Sequence, residues 1–426
     1  MTSSEHVVIV GGGLAGWRAA EELRAAGFEG QLTLLSDELH PPYDRPPLSK
    51  RLLKADVIAA PIVFAREGSD EASLKLEIRA GVRATGLRPG VVRTARMGPD
   101  GTEVTGEVGY DALILATGVR ARELPALSGH PRVHLLRTFD DVIELRKALD
   151  TASSMLVVGA GFIGAEVATA AHDRGISVTI IEFLDVPYQR TLGEKLGGIV
   201  GRMAARYGVA LLTGTGVDEL VDDPGSVHVK LTDGTSLQAD IAVVGVGTEV
   251  NVEWLGKPGA TVWKAGITCD AAGRAVGLGP EFGRIYALGD VSAWHDATQD
   301  RHQRFEHWTT AVDQAPIMAR ALVRDLAGEA PEATEPLLPY FWSDQFGRKV
   351  QLLGRPGLAD SVELLHGEEP ADPAEPAGRK LLAGYFADDR LVAIAGISAP
   401  ALLGKYRPLL AAGASLEQCR AHAAAL

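Results

Sequence analysis

Two glycine runs carry the most direct chemistry in this chain. Gly11-Gly12-Gly13-Leu14-Ala15-Gly16 follows the β-branched run Val7-Val8-Ile9-Val10, and Gly159-Ala160-Gly161-Phe162-Ile163-Gly164 follows Leu156-Val157-Val158. Each spells GxGxxG. At that spacing the first glycine allows a tight turn, the second lets backbone approach a pyrophosphate, and the third packs helix close on strand. The phosphates then meet the amides of a helix N-terminus. Each run leads into a helix-compatible segment, Trp17 to Ala26 and Ala165 to Arg174, then a glycine, then a second apolar run ending in acid: Ser36-Asp37-Glu38 and Glu182. A carboxylate there accepts hydrogen bonds from a ribose diol and repels a 2′-phosphate. Glu182 therefore favours NADH over NADPH at the second site. The residues after it, Phe183 to Pro187, bring no base, and Arg190 is eight positions on.

Two βαβ units with the same punctuation require a doubly wound α/β fold. The 426 residues suggest two or three domains. We expect a first nucleotide domain over residues 1–117 and 245–326, a second over 118–244, and a C-terminal α+β domain over 332–426. Within the first two, Val82 to Arg96, Thr102 to Leu115 and Val227 to Val244 alternate like antiparallel insertions. Ala112-Leu113-Ile114-Leu115-Ala116-Thr117-Gly118 and Val244-Gly245-Val246-Gly247-Thr248 close them. The C-terminal part follows an Ala, Glu, Pro and Thr linker at 327–336. It holds strand-like Lys349 to Leu353 and Leu381 to Phe386, a polar stretch at 366–378, and a helical tail after Ser415.

Composition excludes several functions. Forty-two Lys and Arg against 55 Asp and Glu give a net charge of −13, which argues against a general hold on nucleic acid or an anionic membrane. Cys269 and Cys419 are the only cysteines, so there is no CxxC pair, disulfide framework or thiolate metal cluster. His295, His302 and His307 lack a metal-site register and are read as non-ligands. The start of the chain has no secretory pattern, and the longest apolar stretch, Met155 to Ala171, is interrupted by Gly159, Gly161, Gly164, Glu166 and Thr169. A cytoplasmic location is expected.

Further motifs carry a resemblance. Pro42-Tyr43-Asp44-Arg45-Pro46-Pro47-Leu48-Ser49-Lys50, Ala116-Thr117-Gly118, the second fingerprint with Glu166, Tyr286-Ala287-Leu288-Gly289-Asp290, Glu306-His307-Trp308 and Phe341-Trp342-Ser343-Asp344-Gln345 together resemble the NADH-dependent ferredoxin reductases. That family includes putidaredoxin reductase, rubredoxin reductase and the reductases of aromatic-ring dioxygenases. The resemblance implies a glutathione-reductase-like architecture, with FAD on Gly11, Gly13, Leu14, Ala15 and Gly16. Asp37 would lie near the adenosine ribose and Arg45 and Lys50 along the cofactor, with Val82, Ala116, Thr117, Gly118, Asp290, Val291, His307 and Trp308 completing the site. Trp342 is equally well read as core or as a flavin neighbour. NADH would take Gly159, Gly161, Phe162, Ile163, Gly164, Glu182, Arg190, Gly245, Val246 and Gly247. Lys50 and Glu166 would form an ion pair beside the reacting rings, orienting the nicotinamide and carrying no hydride.

The implied activity is hydride transfer from NADH to FAD, then single-electron transfer to a small acidic 2Fe-2S ferredoxin that serves a haem-thiolate monooxygenase or a Rieske dioxygenase. Arg66, Arg301 and Arg304 are candidates for docking it, and the chain is expected as a monomer or weak homodimer. The alternatives are a rubredoxin reductase, an NADH oxidase, and a signalling flavoprotein like apoptosis-inducing factor. One departure from the family is Val250-Asn251, where Pro-Asn is common, and it is expected to loosen its loop.

Overall fold

The computed structural model describes residues 4–57, 59–221, 225–256, 262–263, 266–297, 299–334, 336–368 and 380–426. Most of the polar stretch expected at 366–378 lies outside them. The chain divides into two compact units, one of residues 1–44, 61–120 and 248–339, the other of 45–60, 121–247 and 340–426.

The first unit is built on a five-stranded parallel sheet in the order Arg284–Ala287, Ala112–Leu115, His6–Val10, Gln31–Ser36 and Leu76–Ala80. The central strands are continuous apolar runs because both faces are covered; Val7, Val8, Ile9, Leu113 and Ile114 have no exposed surface. Helices Leu14–Ala25 and Trp308–Ala327 pack on each other. The alternating segment becomes the antiparallel sheet Arg83–Arg88, Val91–Met97 and Glu103–Gly109.

The second unit repeats the design, with parallel strands ordered Ala210–Leu212, Ser177–Ile181, Ser154–Val158, Ile241–Val244 and Val133–His134. Its insertion is the sheet Val217–Val221, Val227–Leu231 and Ser236–Ala239. The C-terminal part contributes an antiparallel sheet ordered Tyr340–Gln345, Arg348–Gly354, Arg390–Ile397, Leu381–Ala387 and Ser361–His366, followed by helices Pro400–Ala412 and Leu416–Ala424. Ser415 and Gln418 form a capping box on the last helix.

This grouping differs from the expected three-part division in two respects, the first being that residues 45–60, expected in the first domain, cluster with the second unit. Second, residues 340–426 cluster with the second nucleotide fold rather than apart from it, because strand Tyr340–Gln345 packs along helix Phe162–Asp173. Among the described residues, no helix is long and apolar enough to cross a membrane.

Candidate functional site

In the first unit the three fingerprint glycines serve three separable needs. Gly11 has φ +124° and a Cβ on it would lie 2.1 Å from the Ala116 carbonyl oxygen; a Cβ on Gly16 would lie 2.0 Å from the Gly11 carbonyl oxygen. Both positions exclude a side chain by fold alone. Gly13 is different: its φ of −84° suits any residue, and a Cβ there would meet nothing within 4 Å. No feature of the protein requires that glycine, and open space at a helix N-terminus suits a phosphate that must come close.

The remaining expected residues of this unit surround the strand ends. Ala116 donates its N–H to the Val10 carbonyl at 2.8 Å, and Val82 donates to the Ser36 carbonyl at 2.8 Å. Leu14 and Ala15 open the helix. Asp37 is exposed, one residue past the strand. Gly289, at φ +74°, opens the turn holding Asp290 and buried Val291, and donates to the buried Gln314 side chain at 2.7 Å. His307 precedes the twenty-residue helix Trp308–Ala327 and makes no side-chain capping bond; burial pushes its imidazole down to about 4. It is thus neutral at pH 7 beside the positive end of the helix dipole. The Trp308 indole donates to Asp44 at 2.9 Å.

The Val250-Asn251 loop is corrected from loosened to clamped. Asn251 donates from its amide to the Thr117 carbonyl at 3.0 Å, accepts the Thr117 hydroxyl on its own carbonyl at 2.8 Å, and donates its N–H to Gly118 at 3.1 Å. Val250 is buried, and Arg120 donates to its carbonyl.

The second unit repeats the glycine logic. Gly159 has φ +105°, and a Cβ on it would lie 2.4 Å from the Gly245 carbonyl oxygen; one on Gly164 would lie 2.2 Å from that of Gly159. Gly161 has an unrestrictive φ of −79°, and its Cβ would meet only the Gly245 oxygen, at 4.0 Å. Phe162 and Ile163 begin the helix. Gly245 donates to the Val158 carbonyl at 2.8 Å, half-buried Val246 follows it, and Gly247 has φ +107° with open space at its Cα.

Glu182 accepts the N–H groups of Ala160 at 2.8 Å and Leu184 at 2.9 Å, one on each carboxylate oxygen. Both oxygens keep lone pairs for a diol. Arg190 is exposed on helix Gln189–Tyr207 and has no ion-pair partner among the described residues. Glu182→Ala is expected to lower kcat/KM for NADH about tenfold, the loss of a charge-assisted hydrogen-bond set, and to raise that for NADPH, whose 2′-phosphate no longer meets a carboxylate; steady-state assays with the two nucleotides test it. The two folds are not identical here. In the first, Gly11 N–H meets Leu35 as Gly159 N–H meets Ile181, so Ser36 stands where Glu182 does and Asp37 where Phe183 does.

Lys50 and Glu166 meet within the second unit. Lys50 Nζ donates to Glu166 Oε2 at 2.9 Å and makes a longer contact with the Pro46 carbonyl at 3.4 Å. The Glu166 side chain is 3% exposed and that of Lys50 22%. The carboxylate also accepts the Ser49 hydroxyl on Oε2 and the Ser343 hydroxyl on Oε1, each at 2.5 Å. A deeply buried anion is tolerable only with such saturation. Lys50 retains a third N–H for which no acceptor is found among the described residues. Arg45 donates to the Arg137 carbonyl at 2.6 Å, and half-buried Trp342 stacks on Tyr340 at 6.1 Å. Arg45, Lys50 and Trp342 thus belong to the second unit. Ser49, Ser343 and Asn251 join these hydrogen-bond networks although the sequence pattern singles out none of them, each lying inside or beside a quoted motif.

Each unit thus carries a glycine cradle open to a dinucleotide pyrophosphate, and the second also holds the saturated ion pair. The chain belongs to the pyridine nucleotide-disulphide oxidoreductase family, whose model matches residues 5–315, and residues 340–425 match the reductase C-terminal domain. It is 34% identical over 368 residues to the ferredoxin–NAD(+) reductase component of the p-cumate 2,3-dioxygenase system of Pseudomonas putida, covering 86% of this chain and 85% of that one. It is also 34% identical to rhodocoxin reductase of Rhodococcus erythropolis, covering 83% and 79%. In structure it is similar to the reductase of a covalent putidaredoxin reductase–putidaredoxin complex, with a TM-score of 0.83 and 28% identity over 97% of this chain and 94% of that one.

The disulphide of the family name has no counterpart here. Both cysteines are free and buried, and burial pushes the Cys269 thiol well up and that of Cys419 up to about 11. Such thiols are unreactive. The variant Cys269→Ala/Cys419→Ala is expected to keep NADH-driven electron transfer within twofold of the parent.

Proposed function

We propose that the chain is an NADH-dependent, FAD-containing ferredoxin reductase, with FAD on the first fingerprint and NADH on the second. The observation that carries this is the pair of helix-start glycines, Gly13 and Gly161, whose side-chain space is open and whose backbone needs no glycine. FAD, which Gly11, Gly13 and Gly16 would hold, would supply the capacity to accept a hydride from NADH and to pass single electrons to an iron-sulfur protein. The chain's own contribution is to seat both nucleotides, to select the ribose diol with Glu182, and to present the Lys50 ammonium paired with Glu166. Asp290 would hold the FAD polyol chain, and the helix starting at Trp308 would face the flavin pyrimidine with its amides. With no exposed thiol to relay electrons, they must leave directly to an external carrier.

The partner is a small 2Fe-2S ferredoxin serving an oxygenase, and the location is the cytoplasm, where two free cysteines and an NADH pool are compatible. Arg301 is exposed and remains a docking candidate, as does Arg66, whose side chain is 66% exposed beside Glu21. Arg304 is already engaged by Glu306 at 2.6 Å and by the Asp290 carbonyl. Ferredoxin reduction is therefore expected to fall steeply with ionic strength, and Arg301→Ala to flatten that dependence. The deciding test is NADH-driven cytochrome c reduction with and without an added 2Fe-2S ferredoxin. A large ferredoxin-dependent increase supports the reading; flavin bleaching without it favours an oxidase.

A further inference from the structure

The C-terminal hairpin lies along the helix that carries Glu166 in matched register. On helix Phe162–Asp173, Phe162, Glu166 and Thr169 are spaced by four and three residues and so share one face. On strand Tyr340–Gln345, Phe341, Ser343 and Gln345 alternate inward and are buried. The first two members of each row meet in order, and Phe346, the residue after the strand, reaches the third on the helix. The Phe162 and Phe341 rings are 4.6 Å apart, Ser343 donates to Glu166 at 2.5 Å, and Phe346 donates its N–H to the Thr169 hydroxyl at 2.9 Å.

The end of the row is held under strain. Phe346 is 5% exposed and adopts φ +50° at the hairpin turn, a conformation costly for a bulky residue and retained only when its surroundings impose it. That conformation delivers its N–H to Thr169 and its ring to Tyr207, 5.9 Å away.

We propose that Ser343 is a positioning residue for the reaction, through which the C-terminal domain fixes the Glu166 carboxylate and thereby the Lys50 ammonium. This rests on the role given above to the Lys50–Glu166 pair. The division of labour follows from the atoms. Oε2 is taken by Ser49 and Lys50, so Oε1 is free to rotate the carboxylate unless Ser343 holds it. Ser343 itself has no exposed surface, so water cannot replace its hydroxyl at that oxygen without opening the hairpin.

The test uses the full FAD-loaded chain and two variants that separate hydrogen bonding from packing. Ser343→Ala removes the hydroxyl; Ser343→Cys fills the same space with a weak donor. Both are expected to slow flavin reduction by NADH in anaerobic stopped flow at least fivefold, with the Kd for NADH within twofold of the parent. Competitive acetylation of lysines, read by mass spectrometry, is expected to show Lys50 modified at least threefold faster in both. Lys349, paired with Asp344 at 2.7 Å on the same hairpin, should be unchanged, and Asp344→Asn should leave flavin reduction at the parent rate. Three results would overturn the proposal: Ser343→Cys behaving as the parent, Lys50 and Lys349 rising together, or both variants retaining the parent rate. If Glu166→Gln also retains the parent rate, the ion-pair reading falls with it; if Glu166→Gln is slow while the Ser343 variants are not, only the role of Ser343 falls.

Discussion

Gly161→Val is expected to raise the Kd for NADH about 100-fold, equivalent to about 2.8 kcal/mol, in a chain that still folds and still binds FAD. The backbone at Gly161, φ −79° and ψ −179°, lies in the extended region that valine prefers, and a Cβ there meets only one backbone oxygen, at 4.0 Å. The protein therefore loses nothing, while a nucleotide phosphate loses its approach to the helix amides. The neighbouring glycine gives the opposite outcome. Gly164→Val would drive a Cβ to 2.2 Å from the Gly159 carbonyl, forcing helix and turn apart, so that variant is expected to express poorly and to lose thermal stability. Gly13→Val repeats the first experiment in the other unit and is expected to yield folded but colourless protein. Equilibrium titration with NADH, flavin content and thermal melts distinguish these results. Equal loss of stability in Gly161→Val and Gly164→Val would defeat the argument.

That contrast marks what can be read from a sequence and what cannot. The fingerprints were legible because their constraints are local: three glycines, a buried strand before them and an acid after. The helix starts were less so, since Leu14–Ala25 and Phe162–Asp173 begin three residues before the expected Trp17 and Ala165, inside the glycine motif, where turn and helix signals overlap. Asp37 separates local pattern from register. Its acid type suggested equivalence with Glu182, but the parallel register places Ser36 at that position, and register depends on pairing that no local pattern records. The tie between Ser343 and Glu166 spans 177 positions, and a buried serine in a strand looks the same whether it serves packing or a carboxylate. At Val250-Asn251 the absence of proline suggests freedom, whereas the Asn251 side chain and backbone supply the restraint.

Lys50→Met is expected to slow flavin reduction by NADH about 100-fold and also to destabilise the chain, because the two effects share one cause. Removing the ammonium leaves Glu166, 3% exposed, with two hydroxyl donors and no counter-charge. Stranding a buried ion in this way costs about 3 kcal/mol, the lower end for a broken buried pair, since the serines still partly solvate it. Loss of one preorganised charged donor accounts for a rate effect of about 10²-fold. Glu166→Gln should behave differently. The amide keeps the volume and leaves Lys50 partly in water, so the apparent Tm should barely move while flavin reduction still slows. The double variant Lys50→Met/Glu166→Met replaces ion with apolar packing and should recover most of the stability lost by Lys50→Met alone, with no recovery of rate. Stopped flow and thermal melts on the three proteins separate function from stability. If Lys50→Met is as stable as the parent, Glu166 is not carried as a buried carboxylate; if it reduces flavin at the parent rate, the ammonium has no part in the reaction.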